Sequence, residues 1–185
     1  PTRQKIASAD LPDWALFWAD GNRSIPEIAG LLSVELRREI QPTEVNDYFV
    51  GLESLGYVRL VEEDELITRD TLRDDLVALG VVQGMDLMVH SSLSRIGFVK
   101  GGADTVIDAL LECIGPDGTL LAPSFNHRAA DVYNPMTTPT TNGAIPDALW
   151  RRMVARRSLH ATHPVAAIGA RAADYCGSDH ADVGI

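Results

Sequence analysis

Asp86-Leu87-Met88-Val89-His90, then Lys100-Gly101-Gly102-Ala103-Asp104-Thr105, then Thr119-Leu120-Leu121-Ala122-Pro123 are the stretches whose reading decides the fold. The first and last are short, bounded apolar runs of the kind that forms buried strands. Between them, residues 105–114 place Val106, Ile107, Leu110 and Leu111 on one helical face, and Gly115-Pro116-Asp117-Gly118 makes a tight turn. Strand, helix, strand at this spacing predicts a βαβ crossover with parallel pairing. Thr71-Leu72-Arg73-Asp74-Asp75-Leu76-Val77-Ala78-Leu79, just upstream, reads as an amphipathic helix. Thr71 or Asp70 is its expected cap and Gly80 its stop. The expected class is α/β with a parallel or mixed sheet.

Outward toward the N-terminus the pattern changes, which sets a boundary near residue 70 and two domains, 1–70 and 71–185. Trp14, Phe17 and Trp18 recur at helical spacing. Ser24-Ile25-Pro26-Glu27 carries a capping box with proline in the first turn. Thr43 is the expected cap of a helix bearing Val45, Tyr48, Phe49, Leu52 and Leu55, stopped by Gly56. Tyr57-Val58-Arg59-Leu60-Val61 alternates as a strand, and Leu66-Ile67-Thr68 is expected to return beside it. Three helices and a two-stranded wing is winged-helix order. The run Trp18-Ala19-Asp20-Gly21-Asn22-Arg23-Ser24-Ile25-Pro26-Glu27-Ile28-Ala29 resembles small winged-helix modules fused to bacterial peptidases and tailoring enzymes.

Charge argues against nucleic acid as a partner. Residues 1–70 hold 7 Lys or Arg against 14 Asp or Glu, and the third predicted helix carries Glu44, Asp47 and Glu53. Affinity for DNA rests on neutralising phosphates, which this surface repels. Docking of a protein or peptide is the expected role. The whole chain, 185 residues with net charge −10, disfavours anionic membranes in the same way. No apolar run approaches the ~20 residues of a membrane span. Cys113 and Cys176 form no Cys-x-x-Cys pair, so a reduced, cytoplasmic protein is expected. The chain opens on Pro1 and ends on Val183-Gly184-Ile185, which reads as a fragment of something longer.

In open α/β sheets ligands bind beyond the carboxyl ends of the strands. There the sequence places His90-Ser91-Ser92-Leu93-Ser94-Arg95-Ile96-Gly97 and the glycines that open the next helix. Hydroxyls, Arg95, Lys100 and free helix-start N–H groups suit a pyrophosphate. A plain strand-to-helix connection, with serines satisfying its own backbone, explains the same residues equally well. The spacing is neither that of a P-loop nor that of a dinucleotide fingerprint. His160 and His163 stand in a loop with no acidic or cysteine partner at ligand spacing, so no metal site is expected. Cys113 falls inside a helix and Cys176 has no activating pair, so neither is an expected nucleophile.

Several stretches, in order, resemble the aminoglycoside 3-N-acetyltransferase family across 71–185. They are Asp75-Leu76-Val77-Ala78-Leu79-Gly80-Val81; Gly84-Met85-Asp86-Leu87-Met88-Val89-His90-Ser91-Ser92-Leu93-Ser94; Gly101-Gly102-Ala103-Asp104-Thr105-Val106-Ile107-Asp108-Ala109-Leu110; and Gly118-Thr119-Leu120-Leu121-Ala122-Pro123-Ser124-Phe125. Tyr133-Asn134-Pro135, Gly143-Ala144-Ile145-Pro146 and Arg157-Ser158-Leu159-His160 extend the likeness. Pro164 departs from it, standing where many relatives have serine.

The resemblance implies acetyl-CoA-dependent transfer to an amine of an aminoglycoside or similar small metabolite, with acetyl-CoA as co-substrate. It implies a coenzyme site at His90, Ser91, Ser92, Ser94, Gly101, Gly102 and Ala103, with Arg157 and Ser158 nearby. It puts Tyr133 and Asn134 on a flap facing the acceptor, and His180 in the place of the general base. An amine must lose its proton to attack, and imidazole takes one near neutral pH. The chain ends five residues past His180, so the far half of such a site is expected to be missing. The alternative is a non-catalytic docking protein built on the shortened acetyltransferase domain.

Overall fold

The computed structural model describes residues 11–126, 133–160 and 162–177. The chain divides into two compact units, Pro1–Glu65 and Leu66–Ile185.

The first unit is helical. A 3-10 helix, Asp13–Trp18, precedes α1, Ile25–Leu36, and α2, Pro42–Glu53. The capping box on α1 is formed: the Ser24 N–H donates to Glu27 at 2.7 Å, and the Glu27 N–H donates to the Ser24 hydroxyl. The core gathers Ala15, Ile28, Leu32, Val45, Tyr48, Phe49 and Leu52. Two local expectations fail. At three residues per turn, Ala15 and Trp18 share the inward side, so Phe17 is left 82% exposed. The cap of α2 is Gln41 rather than Thr43, because Pro42 takes the first helical position and Glu44 accepts the Gln41 N–H at 3.1 Å.

The two-stranded wing does not form. The Leu60 N–H donates to the Glu53 carboxylate at 2.7 Å and the Tyr57 N–H to the Leu52 carbonyl, so the stretch is drawn back onto the end of α2. Ile67 pairs instead within the second unit. Its N–H donates to the Phe98 carbonyl at 2.8 Å, and its carbonyl accepts the Lys100 N–H at 3.0 Å.

In the second unit α3, Arg69–Ala78, starts earlier than expected. Thr68 caps it, accepting the Thr71 N–H at 3.2 Å. Then follow β1, Asp86–Met88; α4, Leu93–Ile96; α5, Gly102–Ile114; β2, Thr119–Pro123; α6, Ala144–Arg151; β3, Arg156–Arg157; β4, Val165–Gly169; and α7, Ala172–Tyr175. The sheet order is β1-β2-β4-β3. β1 and β2 are parallel, with Met88 opposite Leu121, as the crossover predicts. β2–β4 and β4–β3 are antiparallel, so the sheet is mixed.

All of β2 is buried, because both of its faces are covered. Leu120 and Ala122 join Val106, Ile107, Leu110 and Leu149 under the layer of α3, α5 and α6. Leu121, between them, faces the other way and meets Ala167 and Ala172 of α7, the period of two expected of a strand. No helix among the described residues is long and apolar enough to cross a membrane.

A charged tie links two of the layer's helices. Arg152, just past α6, donates to Asp108 at 2.6 Å and to the Asp104 carboxylate at 2.8 Å, and its side chain is 22% exposed. Replacing Arg152 with Met should lower unfolding stability by about 1 kcal/mol, because two carboxylates lose a half-buried donor. Arg73→Met, which breaks only exposed pairs on α3, should change the urea midpoint much less. Equal shifts would show that the tie contributes nothing beyond surface charge.

Candidate functional site

The parallel strands and β3 all end at one edge of the sheet, and most of the singled-out residues collect there. His90 and Ser91 follow β1, Ser124 and Phe125 follow β2, and Ser158 follows β3. β4 runs the other way and begins at this edge, where the Ser124 N–H donates to the Pro164 carbonyl at 2.8 Å. Ser92 occupies the cap position of α4, and its hydroxyl lies 3.2 Å from that of Ser94.

The start of α5 is shaped by two glycines, and it begins three residues before the helix expected over 105–114. Gly101 takes φ +84° and Gly102 φ +62°, and the Gly102 N–H donates to the Val99 carbonyl at 2.9 Å. A Cβ on Gly101 would stand 2.2 Å from the Thr105 hydroxyl, so a side chain there competes with the residue that covers the helix start. At Gly102 nothing lies within 4 Å of that position. Helix geometry leaves the amides of Ala103 and Asp104 without intrahelical acceptors. On the other side, the Ser91 carbonyl is 3.9 Å from where a Gly143 Cβ would be, so the loop after β1 lies against the start of α6.

Among the described residues, the buried side-chain polar atoms without a partner are Ser91 Oγ, Ser124 Oγ and Arg157 Nε. They sit at the carboxyl ends of β1, β2 and β3. Buried polar groups are nearly always paired, so these three atoms are candidates to meet water or a ligand at this edge. The sequence reading missed Ser124. The signal for it was a hydroxyl directly following the Leu120-Leu121-Ala122-Pro123 run.

Arg157 and Ser158 are placed away from open loop surface. Ser158 is fully buried, and its hydroxyl accepts the Val165 N–H at 3.1 Å. Arg157 is half-buried and donates to the carbonyls of Ser124, Pro135 and Thr138. Its guanidinium carbon lies 4.5 Å from the centroid of Trp150 and 5.3 Å from that of Tyr133. Burial pulls its pKa below the ordinary arginine value. Burial raises that of Tyr133, whose hydroxyl donates to the Ser158 carbonyl at 2.9 Å. Asn134 heads a turn, its Oδ1 accepting the Met136 N–H at 2.8 Å.

His160 Nδ1 accepts the backbone N–H of His163 at 3.0 Å and of Thr162 at 3.3 Å. His163 stacks edge-on to Phe125, with centroids 5.7 Å apart. Among the described residues no three His, Cys, Asp or Glu side chains group as metal ligands. Both thiols are pushed up by burial, the Cys113 Sγ lying 3.7 Å from the Arg73 carbonyl and the Cys176 Sγ 3.5 Å from that of Arg156. His180 lies outside the described residues.

Known proteins share this arrangement of chain. Aminoglycoside N(3)-acetyltransferase VII of Streptomyces paromomycinus is 37% identical over 134 residues, 61% of this chain and 46% of its own. The crystal structure of aminoglycoside acetyltransferase AAC(3)-Xa superimposes with TM-score 0.59 at 39% identity, over 62% of this chain and 48% of that one. AAC-IIIb, solved as a binary complex with CoASH, gives TM-score 0.57 at 30% identity, over 61% and 50%. The chain spans about half the length of the curated relatives it matches. The family profile described as aminoglycoside 3-N-acetyltransferase matches residues 88–185. That match takes in β1's end, the α5 start and the whole clustered edge, more than half of the residues, and the chain belongs to the aminoglycoside 3-N-acetyltransferase family.

Proposed function

We propose that this chain carries the coenzyme side of an acetyl-CoA-dependent N-acetyltransferase whose acceptor is an amine of an aminoglycoside or a similar metabolite. The observation that carries this reading is the family match over residues 88–185, a span that includes the sheet edge with Ser91, Ser92, Ser94, Gly101 and Gly102 on one loop and one helix start. CoASH in AAC-IIIb and sisomicin in AAC-VIa support the two substrate classes. The α5 start offers Ala103 and Asp104 amides to an oxygen-rich ligand, and the glycines let it come close. The amine attacks the acetyl carbonyl directly and the coenzyme leaves as thiol. Burial of Cys113 and Cys176, which disfavours their thiolates, supports a path without an acetylated cysteine. His180 is assigned the proton of the attacking amine.

Calorimetry of the 185-residue chain with coenzyme A tests the coenzyme side. Saturable binding with a dissociation constant below about 1 mM is expected, in the ordinary range for enzyme substrates. No heat of binding at that concentration would overturn the reading and leave a docking role for the domain.

A further inference from the structure

Arg157 ends β3 immediately before the buried Ser158, and three of its five N–H donors are held by backbone carbonyls. Nη1 donates to the Thr138 carbonyl at 2.5 Å and to that of Pro135 at 3.2 Å, and Nη2 donates to the carbonyl of Ser124. Ser124 belongs to the end of β2, whereas Pro135 and Thr138 belong to the segment 133–138. One side chain therefore ties that segment to the sheet. Its flat group also lies against Trp150 of α6 and Tyr133 of the same segment.

The segment is a compact turn in its own right. The Asn134 carbonyl accepts the N–H of Thr138 at 2.8 Å and of Thr137 at 3.2 Å, and the Asn134 N–H donates to the Thr138 hydroxyl at 2.9 Å. Such a turn has a defined shape, and its attachment fixes where it stands. Within the segment the attachments are the Arg157 donors and the Tyr133 hydroxyl on Ser158; just beyond it, Asn126 Nδ2 donates to the Pro139 carbonyl at 2.9 Å. The Nε of Arg157 is buried without a partner. A phosphate or coenzyme carbonyl that took the whole fork would displace the three carbonyls that Nη1 and Nη2 already hold.

We infer that Arg157 is a positioning residue that clamps residues 133–138, with Tyr133 and Asn134, to the sheet edge, and that it is not a coenzyme ligand. The coenzyme part rests on the function proposed above. The clamp itself does not. A planar fork matches three converging carbonyls, whereas a lysine ammonium is a point charge on a flexible stem and does not replace it.

Hydrogen exchange on the 185-residue chain tests the clamp, with coenzyme A calorimetry run in parallel. In Arg157→Gln, the Thr137 and Thr138 amides should exchange roughly tenfold faster while those of β2 and α5 keep their protection. Arg157→Lys should show the same loosening. In Arg157→Ala, millimolar guanidinium should restore protection to residues 133–138, an effect that general destabilisation does not produce. Coenzyme A affinity should stay within about twofold of the parent in all three, well under the tenfold that 1.4 kcal/mol represents. Should Arg157→Gln fail to fold, Tyr133→Phe removes one hydroxyl from the same attachment and must loosen the same amides by a smaller factor. Unchanged exchange in these variants overturns the clamp. Full protection in Arg157→Lys overturns the fork, and coenzyme affinity lost with the turn still protected makes Arg157 a coenzyme ligand. If the parent chain binds no coenzyme A, the proposed function fails and the exchange result still stands or falls alone.

Discussion

Replacing Gly169 with alanine should lower the stability of the second unit by about 4 kcal/mol, the largest loss expected from adding one methyl group to this chain. Gly169 ends β4 at φ +134°, a conformation that costs an L side chain dearly. Its Cβ would stand 2.2 Å from the Gly118 carbonyl oxygen and 2.6 Å from Thr119 Cα. These are backbone atoms at the Thr119–Gly169 pair, so they cannot rotate aside, and relief requires β2 and β4 to part. Gly80→Ala is the control. It shares a positive φ, +95°, but has nothing within 4 Å, so only the conformational part of the cost applies. Urea unfolding of both variants checks this. Equal midpoints would mean that the close approach at Gly169 carries no energy.

The second large effect concerns the proton. In a polypeptide extended to the length of the relatives, His180→Ala should lower turnover roughly 10²–10⁴-fold with coenzyme affinity nearly unchanged, the range for loss of a general base. A base must be unprotonated to work, so the parent rate should fall as acid protonates it, and the variant should lose that limb. His160 is a poor substitute. Its Nδ1 already accepts two backbone N–H groups of its own loop. Parent-like turnover by the alanine variant would move the base to His163 or to a residue beyond this chain.

What could be read from sequence was mostly local or regular. The Ser24–Glu27 box needs only four consecutive residues, and the β1–α5–β2 crossover announces itself by two apolar runs around an amphipathic helix. Both stand in the structure as expected. The failures came where a distant group outbid a local preference. Tyr57-Val58-Arg59-Leu60-Val61 has strand alternation, but a strand needs a partner, and Ile67 found one at Val99 instead. The antiparallel half of the sheet went unread, because β3 has two residues and too little pattern to register. Val165-Ala166-Ala167-Ile168-Gly169 did carry an apolar run that marks β4.

The site was legible as a set of positions, not as a set of contacts. The Ser91 to Ser94 loop and the Gly101–Gly102 helix start do lie at the sheet edge where a crossover must put them. Arg157 is different. Nothing in Arg157-Ser158 tells that the guanidinium will turn onto three backbone carbonyls, two of them about twenty residues upstream. That choice follows from β3 lying beside β4, which only the assembled sheet determines.

The strand order also has a consequence for the chain during its synthesis. β1, α5 and β2 leave the ribosome together and can pair at once. β2 then waits for β4, whose first residue, Val165, comes roughly 40 residues after Pro123, or about 2–8 s at ordinary elongation rates. Through that interval β2 offers a bare edge and, on the Leu121 side, an uncovered apolar face. The nascent chain is therefore at its most adhesive between the emergence of β2 and that of β4, and slow codons between residues 123 and 165 lengthen the exposure of the very strand that ends up best buried.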